Sequence, residues 1–428
     1  MKPHTFHMPT RIVFGNGEIS RLAAHCAAIG RRPLIVTGRR SARDTGLLDR
    51  VLAQFPDAAV FDAVEENPGT AVCEDGARRC LEAGCDFVLA LGGGSPMDVA
   101  KVIAVLARND VPCAGLFGAD KYRNPPLPIA AVPTTAGTGS EVTPYSVLVD
   151  PASGMKKTVK GLGLFPAVAV LDPEVTAPMP EAVTIATGLD ALSQAMEGLV
   201  SKASTPMGDA LALEACRLAR RWLPVAVRAS RDMDARASLP NTLSPPAPPQ
   251  AGGNPNETLS PPAPPQAGGT LDARGGMLLA AMYSGVVIAQ SGTTVIHGMG
   301  YYYTLRFGLA HGLANGLLFP AVFAFNALHL PEKVAAIAEA LGLKPVSASG
   351  PEALARSIHA GLTGFLREVG VSPAAADHGV DGAALAGFAE ELAQDPYRFR
   401  NQPGTLDAAR LLALFQASHR GTFPELSP

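Results

Sequence analysis

Asp190 and Gln194 stand four residues apart in TGLDALSQAMEG, a spacing that brings both side chains out on one helical face. Glu197 follows at the next turn. Further along, IHGMGYYYTLRFGLAHGLANGLLFP carries His297 and His311, each followed by glycine, in apolar surroundings where adjacent helices can converge. An aspartate with two histidines is a natural ligand set for zinc or ferrous iron and leaves positions for water or substrate. Gln194 offers a weak carbonyl donor or a hydrogen bond beside the ligands. Each residue also has an ordinary reading: a histidine beside glycine can be a satisfied helix-end residue, and Asp190 a cap. Spacing alone leaves both open.

A second chemistry lies in residues 87–101, FVLALGGGSPMDVAK. A short apolar run without polar alternation reads as a strand buried on both faces, followed by Gly92, Gly93 and Gly94, then Ser95 and Pro96 at a helix start. Unpaired first-turn amides and the positive end of the helix dipole make a seat for phosphate there. Ser95 is placed to cap the helix or donate to the anion. The spacing is neither that of a P-loop nor that of the Rossmann fingerprint. A second turn, VPTTAGTGSEVTP, supplies Thr134, Thr135, Thr138 and Ser140 after another strand. Two such turns suit a dinucleotide better than a single phosphate. A third strand, RPLIVT, ends in Gly38, Arg39, Arg40 and Ser41, with guanidinium groups where a ribose-binding carboxylate would repel an added phosphate. That chemistry points to NADP(H) over NAD(H); the alternative is a merely solvated basic patch.

The elements that hold these residues fall into two textures. Strands are predicted over 11–14, 32–37, 59–61, 87–91 and 127–132, alternating with helices over 19–28, 47–55 and 70–83, as in a parallel sheet covered on both sides. After Asp172-Pro173 helical periodicity takes over, which places a boundary near 175–183 and gives an α/β nucleotide-binding domain over 1–180 and a helical domain over 181–428. Inside the latter, TLSPPAPPQAGG occurs twice, at 242–253 and 258–269. Without charges or aromatics it cannot build a core, so residues 240–270 are expected to be a disordered, dispensable insertion.

The chain has 428 residues and a net charge of -3, which gives no reason to expect nucleic acid as a partner. No apolar run is expected to reach the roughly 20 residues of a membrane span. Six cysteines without a CxxC pair fit free thiols in a reducing cytoplasm.

GGGSPMDVAK, PTTAGTGSE, LDPE, TGLDALSQAMEG and HGLANGLLFP, in that order, resemble the iron-containing (group III) alcohol dehydrogenase family from about Thr10 to beyond residue 400, the proline repeat excepted. The resemblance implies an α/β Rossmann-like domain followed by an all-helical metal domain, a dehydroquinate synthase-like architecture, with the active site between them. It implies a dimeric NAD(P)-dependent oxidoreductase acting on a small alcohol or aldehyde. Gly92, Gly93, Gly94, Ser95 and Asp98 then belong to the pyrophosphate turn, and Thr134, Thr135, Thr138 and Ser140 to the second cofactor turn. Asp190, His297 and His311 match three of the four metal ligands, Fe2+ or Zn2+. Gln194 stands where the family has a histidine, Tyr301 where a histidine near the nicotinamide is common, and Gly38 where NAD-preferring relatives carry aspartate.

The expected reaction is reversible hydride transfer between nicotinamide and a carbinol carbon, with Tyr301 as a catalytic candidate that hydrogen-bonds or relays a proton. The apolar and aromatic set Ala136, Tyr145, Val147, Met299, Tyr301, Tyr302 and Phe307 favours uncharged substrates. Two rivals stay open. One is a metal-independent or weakly metal-dependent reductase of an oxoacid, clamped by Arg306 or a lysine of 156–160. The other is a cofactor-binding protein without turnover.

Overall fold

A computed structural model describes residues 3–237, 267–343 and 350–425. Nine strands are described: β1 (Arg11–Phe14), β2 (Pro33–Gly38), β3 (Ala59–Val64), β4 (Phe87–Gly92), β5 (Gly118–Ala119), β6 (Ile129–Pro133), β7 (Tyr145–Val149), β8 (Lys156–Lys160) and β9 (Val168–Leu171). Six form one parallel sheet in the order β1-β9-β6-β4-β2-β3. β4 lies inside it, in register with β2 and β6, and every one of its residues is buried. That is why its sequence shows no alternation. Helices α1 (Thr70–Glu82) and α2 (Gly94–Leu106) flank this strand in the chain.

The second, smaller sheet, β5-β8-β7, has no counterpart in the sequence expectations. β8 reads KKTVK and shows one buried residue, Val159, so hydrophobic patterning has little to mark it. The helix expected over 19–28 divides into a 3-10 turn, Glu18–Arg21, and a short helix, Leu22–Cys26.

From Glu181 onward the described residues form helices: α3 (Glu181–Val200), α4 (Pro206–Ala237), α5 (Ala267–Ser291), α6 (Val295–Phe307) and α7 (His311–His329), with further ones to Arg420. The architecture is thus an α/β Rossmann-like domain followed by an all-helical one. The duplicated proline-rich stretch lies outside the described residues except at its end, where α5 begins at Ala267. The expectation that no stretch is long and apolar enough to span a bilayer is corrected. Thr270–Ser291 and His311–His329 both are, but 72% and 83% of their apolar windows are buried inside the fold. Their composition is that of core helices packed on all sides.

Candidate metal centre and cofactor cleft

Three helices bring the ligand candidates together. Asp190 lies midway along α3, His297 is in the first turn of α6, and His311 opens α7. The approach of α7 to α3 depends on Gly312: a Cβ there would sit 1.8 Å from the Ala186 carbonyl oxygen. One ligand atom from each of Asp190, His297 and His311 lies within 4.8 Å of the other two. His297 Nε2 is 3.7 Å from Asp190 Oδ1.

The neighbours of these groups fix their orientation. His297 Nδ1 bonds to Glu197 Oε2, while Glu197 Oε1 accepts from Thr294 N at 2.9 Å and Thr294 Oγ1 at 2.8 Å. This leaves Nε2 of His297 facing Asp190, the arrangement by which a carboxylate sets the tautomer of a metal-binding histidine. Burial opposes charge on Glu197, but His297 and the hydrogen bonds from His297 and Thr294 outweigh it and hold the carboxyl below its usual range. Burial likewise opposes charge on His297, and Glu197 outweighs it, so that imidazole is raised. His311 differs: burial, then Lys156 and His297, push it well below its ordinary value, so it stays neutral and able to donate a lone pair.

Asn315, one turn after His311, points its amide into the same space. Nδ2 donates to Asp190 Oδ1 at 3.0 Å and lies 3.4 Å from His297 Nε2 and 3.3 Å from His311 Nε2. Its own Oδ1, and His311 Nδ1, are buried without a hydrogen-bond partner. Convergent neutral and anionic donors beside orphaned polar atoms fit a divalent cation. Gln194 is turned otherwise. Its Nε2 donates to Asp190 Oδ2 at 2.9 Å and its Oε1 accepts from Ser284 Oγ at 3.2 Å, so here the amide orients Asp190. Tyr301 stacks on His311 with ring centroids 5.2 Å apart, and Lys156 Nζ lies 5.3 Å from the Tyr301 centroid. Burial, then Asp190 and Asp98, raise its hydroxyl far above a neutral-pH relay.

Asp190, Gln194, His297, Tyr301 and His311 form one wall of a cleft of ≈ 1290 Å³ that runs to the glycine turns. Gly92, Gly93, Gly94, Ser95 and Asp98 line it, as do Thr134, Thr135, Thr138 and Ser140. The two turns touch: a Cβ on Gly94 would lie 2.7 Å from Thr138 Cγ2. Gly93, in extended conformation, occupies the cap of α2, so Ser95 falls inside the first turn and does not cap it. Asp98 binds the second turn to the first, accepting from Ser140 Oγ and Val147 N, both at 2.9 Å.

At the far end, Gly38 and Ser41 line the cleft, whereas Arg39 and Arg40 are not among its lining residues. Arg39 pairs with Glu65 at 2.9 Å and Arg40 with Asp44 at 3.7 Å. The β2 end itself carries no carboxylate, but Glu65 and Glu66, just beyond the neighbouring β3, line the cleft. Of the expected apolar set, Tyr145, Val147 and Tyr301 line it. Helix phase accounts for others: His297, Gly298, Tyr301 and Thr304 share the cleft face of α6, while Tyr302 stacks on Phe388 in the core. Arg306 is exposed and away from the cleft; Arg398, which no motif marked, lines it.

Two family models match the chain: iron-containing alcohol dehydrogenase over residues 9–173, and the Fe-containing alcohol dehydrogenase family, C-terminal, over 184–243 and 265–419. The 1,3-propanediol dehydrogenase of Klebsiella pneumoniae is 31% identical over 416 residues, covering 96% of this chain and 97% of the relative. The NAD-dependent methanol dehydrogenase of Bacillus methanolicus is 30% identical over 379 residues, 88% of this chain and 89% of the relative. Among solved structures, 1,3-propanediol oxidoreductase superposes with a TM-score of 0.84 at 28% identity, covering 97% of this chain and 100% of that one. With the matches spanning both the glycine-turn half and the helices that carry Asp190, His297 and His311, the chain belongs to the iron-containing alcohol dehydrogenase family.

Proposed function

We propose that the protein interconverts a small alcohol and its carbonyl by hydride transfer to and from NAD(P), with NADP(H) preferred and with Asp190, His297 and His311 holding one divalent ion, Fe2+ or Zn2+. The observation that carries this is the meeting of those three side chains on a cleft whose other end is lined by both phosphate-friendly turns. When bound, the nicotinamide supplies hydride chemistry and the ion supplies Lewis acidity toward the substrate oxygen.

The chain's own groups do the rest. Amides at the start of α2 receive phosphate, and Thr135 and Thr138 pack over Gly93 and Gly94 to shape that seat. Glu197 keeps the His297 proton on Nδ1 and its Nε2 lone pair free. Gln194 and Asn315 hold the two oxygens of Asp190. Tyr301 packs as a platform on His311. The NADP(H) preference requires Arg39 to exchange its Glu65 partner for the added phosphate.

The same reading takes 1–180 and 181–428 as the two domains and the active form as a cytoplasmic homodimer. The test is metal analysis of the purified protein before and after chelation, coupled to NADPH oxidation with an aldehyde. Turnover should fall with the metal and return on adding Fe2+ or Zn2+. Full rate in metal-free protein would overturn the reading.

A further inference from the structure

The metal-side end of the cleft carries two cations that the proposed chemistry does not use. Lys156, half-buried on β8, has no carboxylate within 4.0 Å among the described residues, whereas the adjacent Lys157 pairs with Asp150 at 2.8 Å. Its ammonium stands over the Tyr301 ring, which is itself stacked on His311. Arg398 lines the same cleft from the helical half of the chain, on the 3-10 turn Pro396–Phe399. Its Nε bonds to Asp395 Oδ2 at 2.9 Å, but its Nη1 is buried with no hydrogen-bond partner.

This turn is fixed to the metal-site helices. Asn401 Nδ2 donates to the carbonyls of Ser291 and Thr293 at 3.2 and 3.3 Å, and Asn401 O accepts from Lys202 N at 2.9 Å. The Arg398 backbone packs on Gly298, next to His297: a Cβ on Gly298 would be 3.6 Å from Arg398 O and 3.7 Å from Arg398 Cβ. With Nε held by Asp395 and Nη1 enclosed by protein, the guanidinium edge left for a ligand in the cleft is Nη2, which makes no hydrogen bond among the described residues. The carboxylates on this side are engaged elsewhere: Asp98 by Ser140 and Val147, Asp190 by Gln194 and Asn315, and the deeper Glu197 by His297 and Thr294.

We infer that Arg398, assisted by Lys156, forms a carboxylate-binding subsite beside the metal centre, and that the natural substrate is a short hydroxy or oxo compound bearing a carboxylate. This rests on the dehydrogenase reading above for the reacting end of the molecule; the subsite concerns the other end. A substrate carboxylate can accept from Arg398 Nη2 and from the Lys156 ammonium while the substrate's carbonyl faces the metal ligands.

Two measurements on the full-length protein, loaded with Zn2+ and its nicotinamide cofactor, test this. The first compares kcat/KM for 4-oxobutanoate and for butanal. Wild type should favour the carboxylate at least about 10-fold, and Arg398→Gln should lower that ratio about 10- to 100-fold, with Arg398→Lys between. The second titrates succinate, which cannot react, by calorimetry. Saturable binding should weaken at least about 10-fold in Arg398→Gln and also in Lys156→Met. A wild type that prefers butanal, or a ratio and succinate affinity unmoved by Arg398→Gln, overturns the subsite while leaving the dehydrogenase reading intact. If neither aldehyde is reduced, the dehydrogenase reading fails and the succinate titration alone decides the subsite. If Lys156→Met weakens cofactor and not succinate, Lys156 is removed from the proposal and the two-cation subsite is wrong.

Discussion

On the α/β side of the cleft, Lys101 is buried with its Nζ donating to Ser140 Oγ at 2.8 Å, Thr143 O at 2.9 Å, Thr143 Oγ1 at 3.1 Å and Tyr145 O at 2.7 Å. Ser140 Oγ in turn donates a hydrogen bond to Asp98 Oδ1 at 2.9 Å. On the helical side, Asp190, Glu197, His297 and Asn315 are also buried, yet Asn315 Oδ1 and His311 Nδ1 have no hydrogen-bond partner among the described residues. Both clusters put charge where water is scarce. One closes on itself and acts as a clamp between α2, the second turn and β7. The other stays open toward the cleft. The contrast teaches that burial alone does not mark a reacting site; incomplete satisfaction at a converging donor set does.

The largest expected effect falls on the open cluster. His311→Ala should cost the protein its metal and lower kcat/KM by at least about 1000-fold, about 4 kcal/mol of transition-state stabilisation, with little change in unfolding free energy. Metal content and a urea melt on the same sample check this. A large loss of stability would make His311 a clamp like Lys101 and erase the contrast.

Lys101→Met should do the reverse. It leaves the buried Glu141 and the half-buried Asp98 without their cation, and breaking such a cluster costs about 3–5 kcal/mol of stability. A loss under about 1 kcal/mol would show that the four contacts contribute no more than a surface pair.

Next comes Glu141, which burial pushes up to about 7, against the opposing influence of its backbone bond and Lys101. A carboxyl raised on folding contributes its full stability below its unfolded value of 4.5 and loses it as pH rises through about 7. Glu141→Gln should flatten the stability profile between those limits, by on the order of 3 kcal/mol. An unchanged profile would mean that the carboxylate is solvated. Smaller still is Glu197→Gln, which keeps the shape but weakens the anchor of His297. We expect about a 10- to 100-fold loss of metal affinity, read by chelator competition.

The two sides also differ in how much of them shows in the chain. The seat at Gly92–Ser95 is legible because strand, turn and helix start are contiguous, and a strand buried on both faces leaves an unbroken apolar run. The pairing of Asp190 with His297 and His311 was visible as residue types, since few histidines sit in such apolar surroundings. Its closure was not. Asn315 reads as one more helical residue until α7 is docked on α3, and Gln194 shows which atom faces Asp190 only once Ser284 takes the other. Arg398 lies on a turn with no periodicity, and β8 is mostly exposed and lysine-rich. Glu65 was hidden for another reason: it belongs to β3's end and meets Arg39 only because β3 pairs with β2 in parallel.

That last pair gives the mildest test, since it belongs to neither buried cluster. Arg39 and Glu65 have side chains 63% and 64% exposed, so their ion pair is screened and contributes little to stability. The same exposure leaves Arg39 free to change partners, and a 2′-phosphate offers it more charge than one carboxylate. Glu65→Gln should therefore shift the kcat/KM ratio of NADPH to NADH upward a few-fold, and Arg39→Ala should lower it about 3- to 10-fold, with unfolding free energy unchanged in both. If Arg39→Ala leaves the ratio where it was, the guanidinium remains with Glu65, and the carboxylate on the cleft wall favours the unphosphorylated ribose. The NADP(H) preference would then be reversed by a residue contributed from the neighbouring strand.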